Sequence, residues 1–203
     1  MHINYKNSKY HEYYRNQRFI FYVPLHTIYY EGNKELKFNR NELLHKIGVL
    51  IEKPCYYDNL TGLDHLKYLN YFYNKGTERI EYALSKVGLQ NAKNKKVKNY
   101  STGMKQRLGI AMAVFHDPEI LILDEPLNGL DPEGIYDVRN LIVDMNAEGK
   151  TVLLSSHSLS EVEKICTHIG ILENGQLIFQ DNIQNVRKQT NNDLESFFLN
   201  IIS

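Results

Sequence analysis

Apolar residues along the chain follow two rhythms. Ile47-Gly-Val-Leu-Ile, Ile120-Leu-Ile-Leu and Thr151-Val-Leu-Leu-Ser are short apolar runs closed by proline, acidic or serine residues. Runs of that length, so bounded, read as buried strands. Elsewhere apolar residues recur every three or four positions. Leu63, Leu66, Leu69 and Tyr73, after Asn59-Leu-Thr-Gly, are spaced to share one helix face. Further helices are expected from Thr77 to Val87, stopped by Gly88, and from after Gly103 to before Pro118. Two more are expected from about Pro132 to Ala147, with proline in the first turn, and near Ser160 to Cys166. A strand near Ile169 to Leu172, the turn signal Asn174-Gly175 and the run Gln176-Leu-Ile-Phe predict a hairpin. Asn192 to Ile201 reads as a short amphipathic helix, Thr27-Ile-Tyr-Tyr as a strand, and Glu31-Gly-Asn-Lys as a turn. Strands alternating with helices predict an α/β fold with a largely parallel sheet. The helical stretch from about Tyr57 to Phe115 reads as an inserted subdomain.

Composition narrows this picture. The chain has 203 residues, enough for one domain or one domain with a small subdomain. Its 24 basic and 24 acidic residues cancel, which removes the electrostatic case for a nucleic-acid partner. The lysines at 93, 95, 96 and 98 read as a solvated loop. Two cysteines, Cys55 and Cys166, make no disulfide framework, so a reducing cytoplasm is the expected setting. No run approaches the ~20 apolar residues of a membrane span; Arg18 to Tyr30 is short and broken by Pro24 and His26. No export signal is read at the start. A role at a membrane therefore calls for docking onto another chain.

The strongest candidate chemistry is Asp124-Glu125, delivered by the apolar run Ile120 to Leu123. In open α/β sheets ligands bind at the carboxyl ends of strands. One carboxylate can hold Mg²⁺, a hard cation that prefers oxygen, and its neighbour can polarise a water. Phosphoryl transfer asks mainly for such positioning and charge neutralisation. Alone, the pair fits a solvated strand end equally well, and its neighbours shift the balance. Tyr100-Ser-Thr-Gly-Met-Lys-Gln-Arg-Leu lies upstream, Asn128-Gly-Leu-Asp131-Pro follows, and His157 closes the run from Val152.

In this order these motifs resemble the ATP-binding cassette family, over roughly Thr27 to Phe179 and more weakly to the C-terminus. The resemblance implies a P-loop-NTPase-like (RecA-like) parallel core with an inserted helical subdomain. It implies that Asp124 holds Mg²⁺ and that Glu125 is the general base toward water. It places Asp131 at a dimer interface and His157 against the γ-phosphate of ATP. Ser101 and Gly103 match the signature loop, where a hydroxyl, a close backbone approach and a helix N-terminus receive phosphate oxygens. Taken without its neighbours, Ser-Thr-Gly is also an ordinary helix cap. The commonest family form has leucine and glycine where Tyr100 and Thr102 stand. Glu52 occupies the position that most members fill with glutamine. Ile47 to Pro54, followed by Asn59-Leu-Thr-Gly, is similar to the subgroup that exports bacitracin-type or lantibiotic-type peptides.

One motif is missing. The phosphate cradle G-x-x-x-x-G-K-[ST] does not occur, and the family position for it falls within Met1 to Tyr22, which has no glycine; the first glycine is Gly32. Residues 1–26 are therefore expected to be atypical, as a frameshift or a late start would leave them. The core is then expected to lack its first strand and phosphate loop. The cassette is expected over 27–203, with a helical subdomain at about 57–115, a core at about 116–180 and a C-terminal helix at about 190–203. The implied function is an ATP- and Mg²⁺-dependent subunit that powers a separate transmembrane permease from the inner face of the cell membrane. It would pair with a second ATPase domain and export an antimicrobial peptide or a similar substrate. The alternative is a non-catalytic or regulatory cassette that lends only its signature loop to a partner. A soluble cassette in translation or repair fits less well, for want of a tandem cassette or a long coiled coil.

Overall fold

The structure is a computed structural model that describes residues 19–21, 44–52, 54–173, 176–190 and 193–202. The expected strand at Thr27 to Tyr30, the turn at Glu31 to Lys34 and the turn at Asn174-Gly175 lie outside the described residues. In chain order the elements are β1 (Phe19–Phe21), β2 (Ile47–Leu50), α1 (Gly62–Tyr73), α2 (Thr77–Lys86), two 3-10 turns (Gln90–Ala92 and Val97–Asn99) and α3 (Thr102–Val114). They continue with β3 (Ile120–Leu123), α4 (Pro132–Ala147), β4 (Thr151–Ser156), α5 (Leu159–Ile165), β5 (His168–Glu173), β6 (Gln176–Asn182), α6 (Ile183–Gln189) and α7 (Leu194–Ile202). Among the described residues, no helix is long and apolar enough to cross a membrane. The chain forms two units, residues 26–154 and residues 1–25 with 155–203.

The 26–154 unit contains a parallel sheet in the order β2-β3-β4. Ile47 pairs with Ile120 and Leu50 with Leu123; Ile120 pairs with Thr151 and Leu123 with Leu154. Buried parallel strands read as unbroken apolar runs, which is why these three were legible. Gly48, Leu50, Leu121, Leu123, Val152 and Leu154 are buried on one face, whereas Val49 on the other is 53% exposed. Two glycines let α3 approach the buried face closely. A Cβ on Gly48 would lie 2.1 Å from the Ala113 carbonyl oxygen, and one on Gly109 would lie 2.5 Å from Leu50 Cδ1.

The three helices before β3 are set by local chemistry. Thr61 and Asp64 form a reciprocal capping box at the start of α1. α2 stops just before Gly88, whose φ of 67° suits glycine. Arg79 on α2 then caps the end of α3, donating from Nε to the Phe115 carbonyl and from Nη2 to the Val114 carbonyl, each at 2.7 Å. Leu66, Leu84, Leu108, Ile110 and Phe115 are fully buried among these helices and the sheet. Part of the expected solvated lysine loop is engaged, since Lys93 Nζ reaches Glu81 Oε1 at 2.7 Å.

The other unit is antiparallel. β1 lies between the end of β4 (Ile20 with Ser156) and β5 (Ile20 with Ile171), and β5 pairs with β6 from His168–Asn182 to Glu173–Gln176. The expected hairpin strands are thus present and longer than expected. β1 and α6 were not read from the sequence. α6 is capped by Asn182, whose side chain accepts from the Gln184 amide, and it buries Ile183 and Val186. Phe179 on β6 meets Phe197 on α7 edge-to-face at 5.1 Å.

Candidate functional site

The candidate site of the 26–154 unit grows from the carboxyl ends of β2 and β3. The sheet ladder runs one residue past β3, where the Asp124 amide donates to the Leu50 carbonyl at 2.8 Å. The backbone then turns sharply. Glu125 has φ of 47°, a left-handed conformation that costs a non-glycine residue of order 1 kcal/mol. Its carbonyl accepts from the Asn128 amide at 3.1 Å, and Pro126 and Leu127 are buried beneath the turn. Glu125 itself is only 9% exposed. A carboxylate is rarely buried without a purpose, and here it is also held in strained backbone. Such strain persists only where the surroundings over-determine it, and it gathers at functional sites.

Glu52 stands two residues beyond β2, as Glu125 stands two beyond β3. Asn128 Nδ2 donates to Glu52 Oε1 at 3.4 Å, so the turn after Glu125 reaches across to the neighbouring strand end. Asn128 was quoted in the motif but given no role; its signal was a side-chain amide beside Gly129, which turns with φ of 71°. The segment after Glu52 is pinned to α3 by Tyr56, whose Oη donates to the Lys105 carbonyl at 2.7 Å. Burial pushes the Tyr56 hydroxyl far above its ordinary pKa, and it remains a donor. His65 braces the same segment. It takes a hydrogen bond from the Tyr57 amide at Nε2 (3.1 Å), and its Nδ1 lies 2.8 Å from the Thr61 carbonyl oxygen.

Ser101 and Asp131 both turn out to be helix caps. Ser101 Oγ accepts from the Met104 amide at 3.2 Å at the start of α3. Asp131 Oδ1 accepts from the Gly134 amide at 3.0 Å at the start of α4. Both residues are exposed. The two caps are neighbours in space, because a Cβ on Gly103 would lie 3.9 Å from Leu130 Cδ2 and one on Gly129 would lie 3.9 Å from Thr102 Cγ2. Gly103 has no crowding within its own chain and no left-handed φ. Neither crowding nor backbone conformation within the chain demands glycine there.

His157 belongs to the other unit. It follows β4 directly and is exposed. The Ser158 amide donates to Ser156 Oγ at 3.1 Å and shapes the turn on which it sits.

The residues present fit part of a magnesium nucleotide. Among the described residues no three His, Cys, Asp or Glu side chains gather as a metal cage. Mg²⁺ does not ask for one, since it takes one or two carboxylates and completes its shell with phosphates and water. Asp124 at a strand end meets that requirement. The hydroxyl of Ser101, the open approach at Gly103 and the amino end of α3 suit phosphate oxygens.

Comparison with known proteins gives this geometry a context. Residues 25–128 match the family described as ABC transporter. The chain is 45% identical over 155 residues to the bacitracin transport ATP-binding protein BcrA of Enterococcus faecalis, covering 75% of this chain and 50% of that protein. It is 41% identical over 171 residues to the lantibiotic transport ATP-binding protein SrtF of Streptococcus pyogenes, covering 83% and 73%. It is 43% identical over 169 residues to the uncharacterised ABC transporter ATP-binding protein YcbN of Bacillus subtilis, covering 81% and 54%. The chain thus spans about half the length of two of these three curated relatives. Among solved structures, an ATP-binding subunit of an ABC transporter superposes with a TM-score of 0.71 at 26% identity, covering 83% of this chain and 73% of that one. The ADP conformation of the cassette MJ1267 superposes with a TM-score of 0.60 at 24% identity, covering 72% and 66%, and bears on the fold alone.

Proposed function

We propose, because this chain belongs to the ABC transporter family of ATP-binding subunits, that it couples ATP binding and hydrolysis to the work of a separate membrane permease. The observation that carries this reading is Glu125, a buried carboxylate in left-handed backbone directly after Asp124 at the end of β3. Asp124 would hold Mg²⁺, which when bound neutralises phosphate charge. Glu125 accepts the proton of the attacking water at a carboxylate oxygen. Its burial restricts competing water, and its strained turn fixes the direction in which the carboxylate points. Glu52, joined to the same turn through Asn128, orients water at the edge of the site. His157 contacts the γ-phosphate. Ser101, Gly103 and Asp131 face a second ATPase domain, where the first two receive phosphate and the aspartate couples the sites. The cassette proper occupies residues 27–203, and residues 1–26 are atypical of it in sequence. The names of the relatives support export of an antimicrobial peptide of the bacitracin or lantibiotic kind, from the inner face of the cell membrane.

A second reading rests on one sequence observation: these 203 residues hold no G-x-x-x-x-G-K-[ST], and no glycine precedes Gly32. In a pair with an intact cassette, this chain would then supply Ser101 and Gly103 to the partner's nucleotide while Glu125 stood idle. Calorimetric titration of the chain with Mg-ATP separates the two, with Glu125→Gln run alongside to suppress turnover. Tight binding supports the catalytic reading. Absence of binding in a chain shown to be folded overturns it in favour of the second.

A further inference from the structure

Tyr100 directly precedes Ser101 at the position where leucine is commonest in the family. It is 6% exposed, with extended backbone (φ −78°, ψ 143°) between the second 3-10 turn and α3. Its Oη donates to the Ala92 carbonyl at 2.9 Å, and burial raises the pKa of the hydroxyl, which therefore stays a donor. A leucine has no group to make that bond. On its other side the phenol meets Gly62, the first residue of α1. A Cβ on Gly62 would lie 2.4 Å from Tyr100 Oη and 3.4 Å from Cζ. The backbone of Gly62 is not left-handed, so glycine is required there for space alone. Its surroundings are firm. The capping box holds Thr61, the Leu63 amide donates to the Lys93 carbonyl at 2.9 Å, and the Val97 amide donates to the Leu60 carbonyl at 2.9 Å.

We propose that Tyr100 and Gly62 are a matched pair, in which Tyr100 is a positioning residue that sets the Ser101 hydroxyl and the opening turn of α3 against the start of α1. The tyrosine is anchored at its far end by Ala92 and accommodated by a missing side chain at Gly62, so the residue after it cannot shift without α1. Tyr56, reaching from the Glu52 segment to the Lys105 carbonyl, ties the same helix a second time. The functional weight of the pair rests on the reading of Ser101 as a phosphate-facing residue; the mechanical pairing does not.

The test is amide hydrogen exchange in the full chain. It compares the Met104 amide, held by Ser101 Oγ, with the Gly134 amide, held by Asp131 Oδ1. Gly62→Ala should speed exchange at Met104 about fivefold, the size of a lost helix cap, with Gly134 unmoved. Adding Tyr100→Phe to Gly62→Ala removes the obstructing oxygen and should bring Met104 back to the slower exchange of Tyr100→Phe alone. Tyr100→Phe alone, without its Ala92 bond, should also speed Met104. Should Gly62→Ala fail to fold, folding of the double variant supports the pair and its failure to fold overturns it. Equal acceleration at Met104 and Gly134, no restoration in the double variant, or no change in Tyr100→Phe also overturns it. ATP turnover of Ser101→Ala in the assembled transporter judges the other reading separately. Unchanged turnover there would remove Ser101 from the nucleotide site and leave the exchange result standing.

Discussion

The turn after β3 and the loop before α3 are built on opposite plans. At Glu125 the chain spends conformational strain to bury a carboxylate, and buried Pro126 and Leu127 hold the turn in place. At Ser101 to Gly103 the chain leaves a capping serine exposed and a glycine that is uncrowded, a Cβ there lying in ordinary contact with Leu130 Cδ2 at 3.9 Å. The first is strained and packed within its own chain, while the second is neither strained nor crowded. A residue that is over-determined by its own fold should fail chemically when changed. A glycine that its own fold neither crowds nor strains should change quietly in the isolated chain, and a capping serine should cost only its cap.

The largest expected effect follows from the first half of that contrast. Glu125→Gln should lower ATP turnover of the assembled transporter by roughly 10²–10⁴, the usual worth of a general base, with its thermal midpoint little changed; turnover within twofold of the parent would refute the assignment. Next come two glycines, Gly48 in β2 and Gly103 in the first turn of α3. Gly48→Ala drives a Cβ into the Ala113 carbonyl and should cost about 1–3 kcal/mol in denaturant unfolding. Gly103→Ala should stay within about 0.5 kcal/mol of the parent and yet depress turnover once a partner domain is present. Equal destabilisation by the two would erase the distinction between a glycine crowded by its own fold and one that is not. Ser101→Ala should remove about 1 kcal/mol through loss of the α3 cap, measurable in the isolated chain.

The smallest effect is a pH dependence that touches neither region. His116 stacks on Tyr73 at 4.6 Å and its Nε2 lies 3.1 Å from the Ile47 carbonyl oxygen. Burial lowers its pKa, with the Ile47 contact acting in the opposite direction and His45, Lys75 and Arg79 adding to the lowering. A histidine depressed in the folded state binds its proton more readily when unfolded. Its neutral form therefore contributes stability above the ordinary pKa of about 6.5. That contribution declines as pH falls below this value toward the lowered one. His116→Gln should flatten the midpoint-against-pH curve as pH falls below about 6.5; an unaltered slope would assign the dependence to other groups.

Much of this arrangement was legible along the chain. β3 and α4 appear at the residues their patterns predict, because an unbroken apolar run and a proline-started periodic segment are local signals. Asp124 and Glu125 could be found because the end of a run is visible in one dimension. β1 escaped notice because three residues carry no periodicity, and their pairing with β4 and β5 joins positions some 130 to 150 residues apart. α6 escaped because its apolar face is only Ile183 and Val186. The sequence by itself determined which residues carry charge, hydroxyl and glycine, and in what order they reach the strand ends. Only the tertiary structure decided that Glu125 is strained and buried, that Asn128 reaches Glu52, and that Tyr100 stands where Gly62 leaves room. Those are contacts between segments far apart in sequence, and their strength depends on packing, to which no local pattern of residues gives access.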